Sequence, residues 1–297
     1  MSFRQDLYPF TGFNLSLNGN TLHYLNEGAG EPLILIHGNP TWSFFYRNLV
    51  KGLSGQFQVI VPDHIGCGLS DKPDDQHYEY TLDRRAKDLE ALIDHLKIER
   101  PLTIIAHDWG GMIGMVYAMR HPERIGRLIL MNTAAFPLPK TTHLPPSLWM
   151  CRKTWLASFL IRKTGLFCRL ITRWCCERPM SQDVRDGYLH PYQTSKDRIA
   201  HLRFVQDIPL RPRDHSYELV CNVQSSLALF RKTPTLILWG EKDFVFDLHF
   251  LKVWEQELPH ATVHRFPQAG HLLLEDVGDE ILPIIKKFLQ DNRIQPV

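Results

Sequence analysis

LTIIAHDWGGMIG, Leu102–Gly114, decides how the rest of the chain is read. Its first part, LTIIAHD, is a short run of apolar and β-branched residues that suits a buried strand. From Gly110 to His121 the pattern changes to that of a helix. A strand that turns sharply into a helix leaves one residue on the corner, here Asp108, with Trp109 next. Such a turn presses the positions two before and two after the corner against neighbouring backbone. Those positions are Ala106 and Gly110, both small.

Outward from this turn the same alternation repeats. FNLSLNGNTLHYLNEG places Asn18-Gly19 between alternating segments, which predicts a hairpin with a type I′ turn. PLILIHG predicts a buried strand, followed by a helix from about Trp42 to Leu53. FQVIVPD is the next strand. TLDRRAKDLEALIDHLKI has apolar spacings of three and four, so it predicts an amphipathic helix. RIGRLILMN, TPTLILWG and TVHRFP are further strands, and the last two are followed by helical sequence. Strands that alternate with helices imply an α/β fold with a mostly parallel central sheet flanked by helices.

The alternation breaks between about Pro137 and Ser225. This stretch opens with prolines, FPLPKTTHLPPS, and then reads as helices only. Helices inserted between two strands of a parallel sheet lie over the strand ends, where ligands bind in open α/β folds. The expected organisation is a core of residues 1–136 and 226–297 with an inserted helical cap, 137–225.

Composition narrows the function classes. The chain has 297 residues and a formal net charge of +2, a size that suits one large domain or one domain with an insertion. Nothing in this charge suggests nucleic acid as a partner. The opening MSFRQDLYPF lacks a signal peptide's basic and apolar regions, and no run suits a membrane span. The six cysteines form no C-x-x-C pair and no metal spacing. Free thiols in a reducing cytoplasm are expected, with no metal and no cofactor.

Asp108 stands where the G-x-S-x-G turn presents a nucleophilic serine. The plain alternative is that Asp108 only caps a helix. The order of the remaining residues argues against it. In this architecture an acid and then a histidine follow the nucleophile along the chain. Asp243 lies just past the strand LILWG, and His271 lies in the loop after the last strand. Asp247 is a second candidate for the acid, but it sits further from the strand and is placed to begin a helix.

A carboxylate nucleophile implies displacement at carbon, because it is ionised at neutral pH and needs no base to activate it. Asp108 would form an ester with the substrate. His271, oriented by Asp243, would then activate water to hydrolyse that ester. The backbone N–H of Trp109 and the HGNP loop near Asn39 would supply the oxyanion hole.

HGNPTWSFFYRNLV, VPDHIGCGLSDKPD, HDWGGMIG and AGHLLLED together resemble the haloalkane dehalogenase family of the α/β-hydrolase superfamily, over nearly the whole chain. The resemblance implies that Asn39 and Trp109 hold the departing halide through side-chain N–H groups, and that the substrate is small and hydrophobic. Some members carry the acid as a Glu after the preceding strand; LILMNTAAF has Asn132 there and no carboxylate. NTAAFPLP and RFVQDIPL also resemble the β-lactone decarboxylases of olefin biosynthesis, which keep the Asp, His, Asn and Trp set. Dehalogenation is the leading reading and lactone decarboxylation the alternative.

An epoxide hydrolase is a further alternative. That family carries two cap tyrosines, for which Tyr188, Tyr192 and Tyr217 are candidates, but it usually has an aromatic residue where Asn39 stands. A non-catalytic scaffold of the same fold is the last, and it is disfavoured because no triad member is missing. Within the cap, Leu148–Pro179 is rich in Trp, Leu and Arg and holds a single acid, Glu177. Basic amphipathic surfaces of this type meet membranes or acidic partners. The plainer reading is a pocket roof with a solvated basic face and no membrane contact, with homo-oligomer or partner-enzyme assembly as the second.

Overall fold

The hairpin forms where Asn18 and Gly19 take φ of 49° and 84°, the two left-handed residues of a type I′ turn. Across it β1 (Phe13–Leu17) pairs antiparallel with β2 (Asn20–Glu27). The computed structural model describes residues 4–294; residues 1–3 and 295–297 of the expected core lie outside them.

The chain then runs through β3 (Glu31–Ile36), α1 (Arg47–Leu53), β4 (Phe57–Pro62), α2 (Leu82–His95), β5 (Leu102–Asp108), α3 (Trp109–Arg120) and β6 (Ile125–Thr133). The helix expected from Trp42 begins instead as a 3₁₀ turn, Ser43–Tyr46. Phe44, Phe45 and Tyr46 are all buried, so the segment has no solvent face, and the Asp63 carboxylate holds the Ser43 N–H at 2.7 Å.

Six further helices follow β6: α4 (Pro146–Lys153), α5 (Trp155–Phe159), α6 (Leu166–Trp174), α7 (Gln182–Leu189), α8 (Ile199–Gln206) and α9 (Tyr217–Ser226). A π-helical turn, Leu160–Thr164, joins α5 to α6. No strand lies among the described residues between β6 and β7 (Thr235–Gly240). α10 (Leu248–Glu257), β8 (Thr262–Phe266) and α11 (Leu273–Asp291) complete the fold. No described helix is long and apolar enough to cross a membrane.

The sheet order is β1-β2-β4-β3-β5-β6-β7-β8, antiparallel at β1-β2 and β2-β4 and parallel from there on. Each central strand is buried on both faces, which is why it reads as a continuous apolar run. Successive residues nonetheless serve different cores. Ile34 and Ile36 belong to the core shared with α2, α3 and α10, while Leu33 and Leu35 belong to the core shared with α1 and α11. The parallel strands therefore end along one edge, and Asp108 is the last residue of the central one.

Candidate active site

Asp108 sits at φ 53°, ψ −127°, a region that an L-residue occupies only when its surroundings hold it there. Close packing does so. A Cβ on Gly110 would lie 1.9 Å from the Ile36 carbonyl oxygen, and one on Gly38 would lie 1.9 Å from Asp108 Oδ1. The Thr133 hydroxyl donates to the Asp108 carbonyl. The Asn39 backbone N–H donates to Asp108 Oδ1 at 2.6 Å, and the Trp109 backbone N–H also bonds the carboxylate. The N–H groups expected as an oxyanion hole thus converge on the Asp108 carboxyl.

His271 approaches from the loop before α11. Its Nδ1 lies 2.8 Å from Asp243 Oδ2, and its Nε2 lies 3.7 Å from Asp108 Oδ2. A carboxylate at Nδ1 assigns the proton to that nitrogen, which leaves Nε2 directed at Asp108. The other oxygen of Asp243 accepts from the Val245 and Phe246 N–H groups at 2.7 and 3.1 Å. Asp247 is elsewhere: it caps α10 by accepting from the His249 N–H at 2.9 Å and bonds the Thr142 hydroxyl.

Burial dominates the electrostatics. It pushes the Asp108 carboxyl above the usual range, against the pull of His271 and the Trp109 and Asn39 N–H groups. Burial also pulls His271 down, but the charge and hydrogen bond of Asp243, aided by Asp108, outweigh it and leave the imidazole raised.

The cavity above Asp108 holds about 780 Å³ of space free of atoms, part of it open to solvent. Asn39, Asp108, Trp109 and His271 supply its polar groups; the remaining lining is apolar. The Trp109 ring packs on Phe204 at 5.3 Å, and its indole N–H meets no acceptor among the described residues. Asn39 uses one side-chain N–H on the His201 carbonyl of α8 at 3.3 Å, which links the donor to the inserted helices. Tyr188, Tyr192 and Tyr217 do not line the cavity. Tyr188 bonds Glu275, and Tyr192 accepts from the Gly68 N–H at 2.9 Å.

Several supporting residues escaped the reading of the sequence. Asn132, noted only as the absence of a carboxylate, clamps Gly240 from both sides, at 3.0 and 2.8 Å, three residues before Asp243. Asp276 accepts from the Gly270 N–H at 2.7 Å and from the Glu177 and Arg178 N–H groups, tying the histidine loop to the end of α6. His107 Nε2 donates to the His271 carbonyl at 2.8 Å. A buried polar residue at a strand end is the signal common to Asn132 and His107.

Comparison with known proteins agrees with this fold. A family profile described as "alpha/beta hydrolase fold" matches residues 31–276. A cis-3-alkyl-4-alkyloxetan-2-one decarboxylase from Shewanella oneidensis is 54% identical over 287 residues, 96% of this chain and 90% of that protein. Haloalkane dehalogenase 2 from Mycobacterium tuberculosis is 31% identical, over 95% of this chain and 96% of that protein. The crystal structure of the haloalkane dehalogenase DatA from Agrobacterium tumefaciens superposes with a TM-score of 0.85 at 22% identity, covering 97% of this chain and 99% of that one.

Proposed function

Since the chain belongs to the alpha/beta hydrolase fold family, on the branch with the haloalkane dehalogenases and the alkyloxetanone decarboxylases, we propose that it decarboxylates cis-3,4-dialkyl β-lactones to alkenes. One observation carries this choice over dehalogenation: 54% identity to a decarboxylase against 31% to a dehalogenase, each across almost the full chain. That reverses the order in which the sequence motifs alone rank the two. The apolar cavity supports it, since a dialkyl lactone needs room for two greasy arms and polar groups only at the ring.

In this reading the helices of 137–225 form the cap. Asp108 attacks the ring carbon that bears the ring oxygen, from the face opposite that oxygen. The carbon–oxygen bond breaks, and its electron pair leaves on what becomes a free carboxylate. The side-chain N–H groups of Trp109 and Asn39 receive that charge. The bond between the neighbouring carbon and the carboxylate then breaks, its pair forms the double bond, and Asp108 leaves as carboxylate. Lactone becomes alkene plus carbon dioxide, and no water is consumed. Backside attack sets the Asp108 bond anti to the carboxylate, so both alkyl groups stay on one side and the alkene is cis. His271 favours the departing Asp108 carboxylate by its positive charge.

Dehalogenation remains the second reading because an unpaired indole N–H over an apolar cavity also suits a departing halide. There His271 is the general base for water, with Asp243 orienting it. The test compares kcat/KM for a cis-dialkyl β-lactone, followed by alkene, with that for 1-bromobutane, followed by bromide. Preference for the lactone is expected. In ¹⁸O water, Asp108 should gain label during bromoalkane turnover and none during lactone turnover. Efficient bromide release with no alkene would overturn the proposal.

A further inference from the structure

The outer face of the inserted helices is both apolar and basic, and the proposed reaction leaves it without a role. On α6 the exposed positions are Leu166, Arg169, Leu170, Arg173 and Trp174, spaced so that they form one stripe. Trp174 is 69% exposed, and Trp155, on α5 just before the π-helical turn that leads into α6, is 80% exposed. Residues 148–176 contain six Lys and Arg and no acid. Arg152 is paired with Asp214, but among the described residues Lys163, Arg169 and Arg173 have no acidic partner.

We propose that this face docks on the surface of an anionic phospholipid bilayer, with α6 lying in the plane of the headgroups. Three observations select this occupant. Interfacial helices combine Trp and Leu with Arg and Lys, the rings sitting at headgroup depth and the cations on phosphate. A second copy of the chain would bring one uncompensated basic stripe against another. The opposite side of α6, through Phe167 and Ile171, lines the cavity above Asp108, so a single helix separates the catalytic cavity from the docking face. Resting on the proposed reaction, this places the enzyme where a water-insoluble dialkyl lactone accumulates, with a short path to the site. No span is needed, consistent with the absence of a crossing helix among those described.

The test is flotation of the whole protein with vesicles of phosphatidylcholine, alone or containing about one-third phosphatidylglycerol. Binding to the anionic vesicles only, weakening as salt rises, is expected. Arg169→Gln and Arg173→Gln should each lower vesicle affinity about fivefold, from the usual worth of one basic residue at such a surface. Trp155→Ser with Trp174→Ser should also weaken binding. None of these residues lines the cavity, so turnover of a short-chain, water-soluble cis-β-lactone without vesicles should be unchanged in every variant. Absence of flotation, or flotation indifferent to these substitutions, overturns the proposal. So does a wild type that ignores vesicles but dimerises, or captures an acidic protein, through the same residues. Vesicle binding without any lactone turnover would remove the proposed reaction and leave the docking surface standing.

Discussion

Trp109→Phe separates chemistry from packing at the site. The indole N–H has no acceptor among the described residues, so its loss strands no partner in the folded protein. The phenyl ring keeps most of the contact with Phe204, whose ring centre lies 5.3 Å away. The stability cost is then mainly the lost ring volume, about 1 kcal/mol, or roughly 1.5–2 °C in Tm for a chain of this size. In the proposed reaction, the lost donor faces the charge that develops as the ring oxygen or halide leaves. Removal of one such donor costs about 10²–10³ in kcat, some 3–4 kcal/mol. The rate effect should therefore exceed the stability effect several-fold. Single-turnover alkene formation and a thermal scan measure the two. Phe204→Leu is the control, since it loosens the same packing and keeps the donor. A Trp109→Phe enzyme with normal rate and a large loss of Tm would refute the reasoning and make Trp109 a packing residue.

Asp243→Asn should slow bromoalkane turnover by about a thousandfold or more, because an amide opposite Nδ1 favours the wrong imidazole tautomer. Asp247→Ala should instead cost about 1 kcal/mol of stability through the lost cap of α10, with a near-normal rate; the reverse pattern would move the acid to Asp247. The two chemistries should also differ in pH dependence. Hydrolysis of the bromoalkane ester needs neutral His271, whose pKa is raised, so its rate should fall as pH drops through a value above 6.5. Lactone decarboxylation needs ionised Asp108 and is helped by protonated His271, so it should persist to lower pH, failing at an acid limb above 3.8; superimposable profiles would mean that His271 is a base in both. Gly110→Ala should destabilise by about 3 kcal/mol or more, because its Cβ would lie 1.9 Å from the Ile36 carbonyl oxygen; an unchanged Tm would show that the turn is looser than the structure has it.

Legibility in the sequence followed the range of the interaction. The hairpin at Asn18-Gly19 and the turn at Asp108 are set by neighbours in the chain, and both could be read from a few letters. The order Asp108, Asp243, His271 was also legible, because each residue follows a strand and parallel strands end on one edge. The clamp of Asn132 on Gly240 and the reach of Asp276 to Gly270, Glu177 and Arg178 were not. Those contacts join segments that no local pattern connects. The outer face of α6 lay between the two cases. Its Leu, Arg and Trp were visible in the sequence, but a helix carrying apolar residues on two sides does not announce which side is covered.

The same distinction explains why the motifs favoured one reaction and the full-length similarity another. In the proposed reaction Asp108, Asn39 and Trp109 serve the displacement step, which is common to a halide and a lactone oxygen. The outcome diverges only afterwards. An alkyl ester made from a bromoalkane has no internal route back, so water activated by His271 must release it. An ester made from a β-lactone carries a carboxylate on the adjacent carbon, and loss of carbon dioxide expels Asp108 without water. What the protein must control is then which substrate enters and whether water reaches the ester first. In the proposed reaction those properties fall to the cavity wall, to which α4, α6 and α8 contribute Leu148, Phe167, Ile171 and Val205, rather than to the four polar residues. On this proposal a motif confined to the polar residues identifies the first step, and the apolar wall carries the choice of the second.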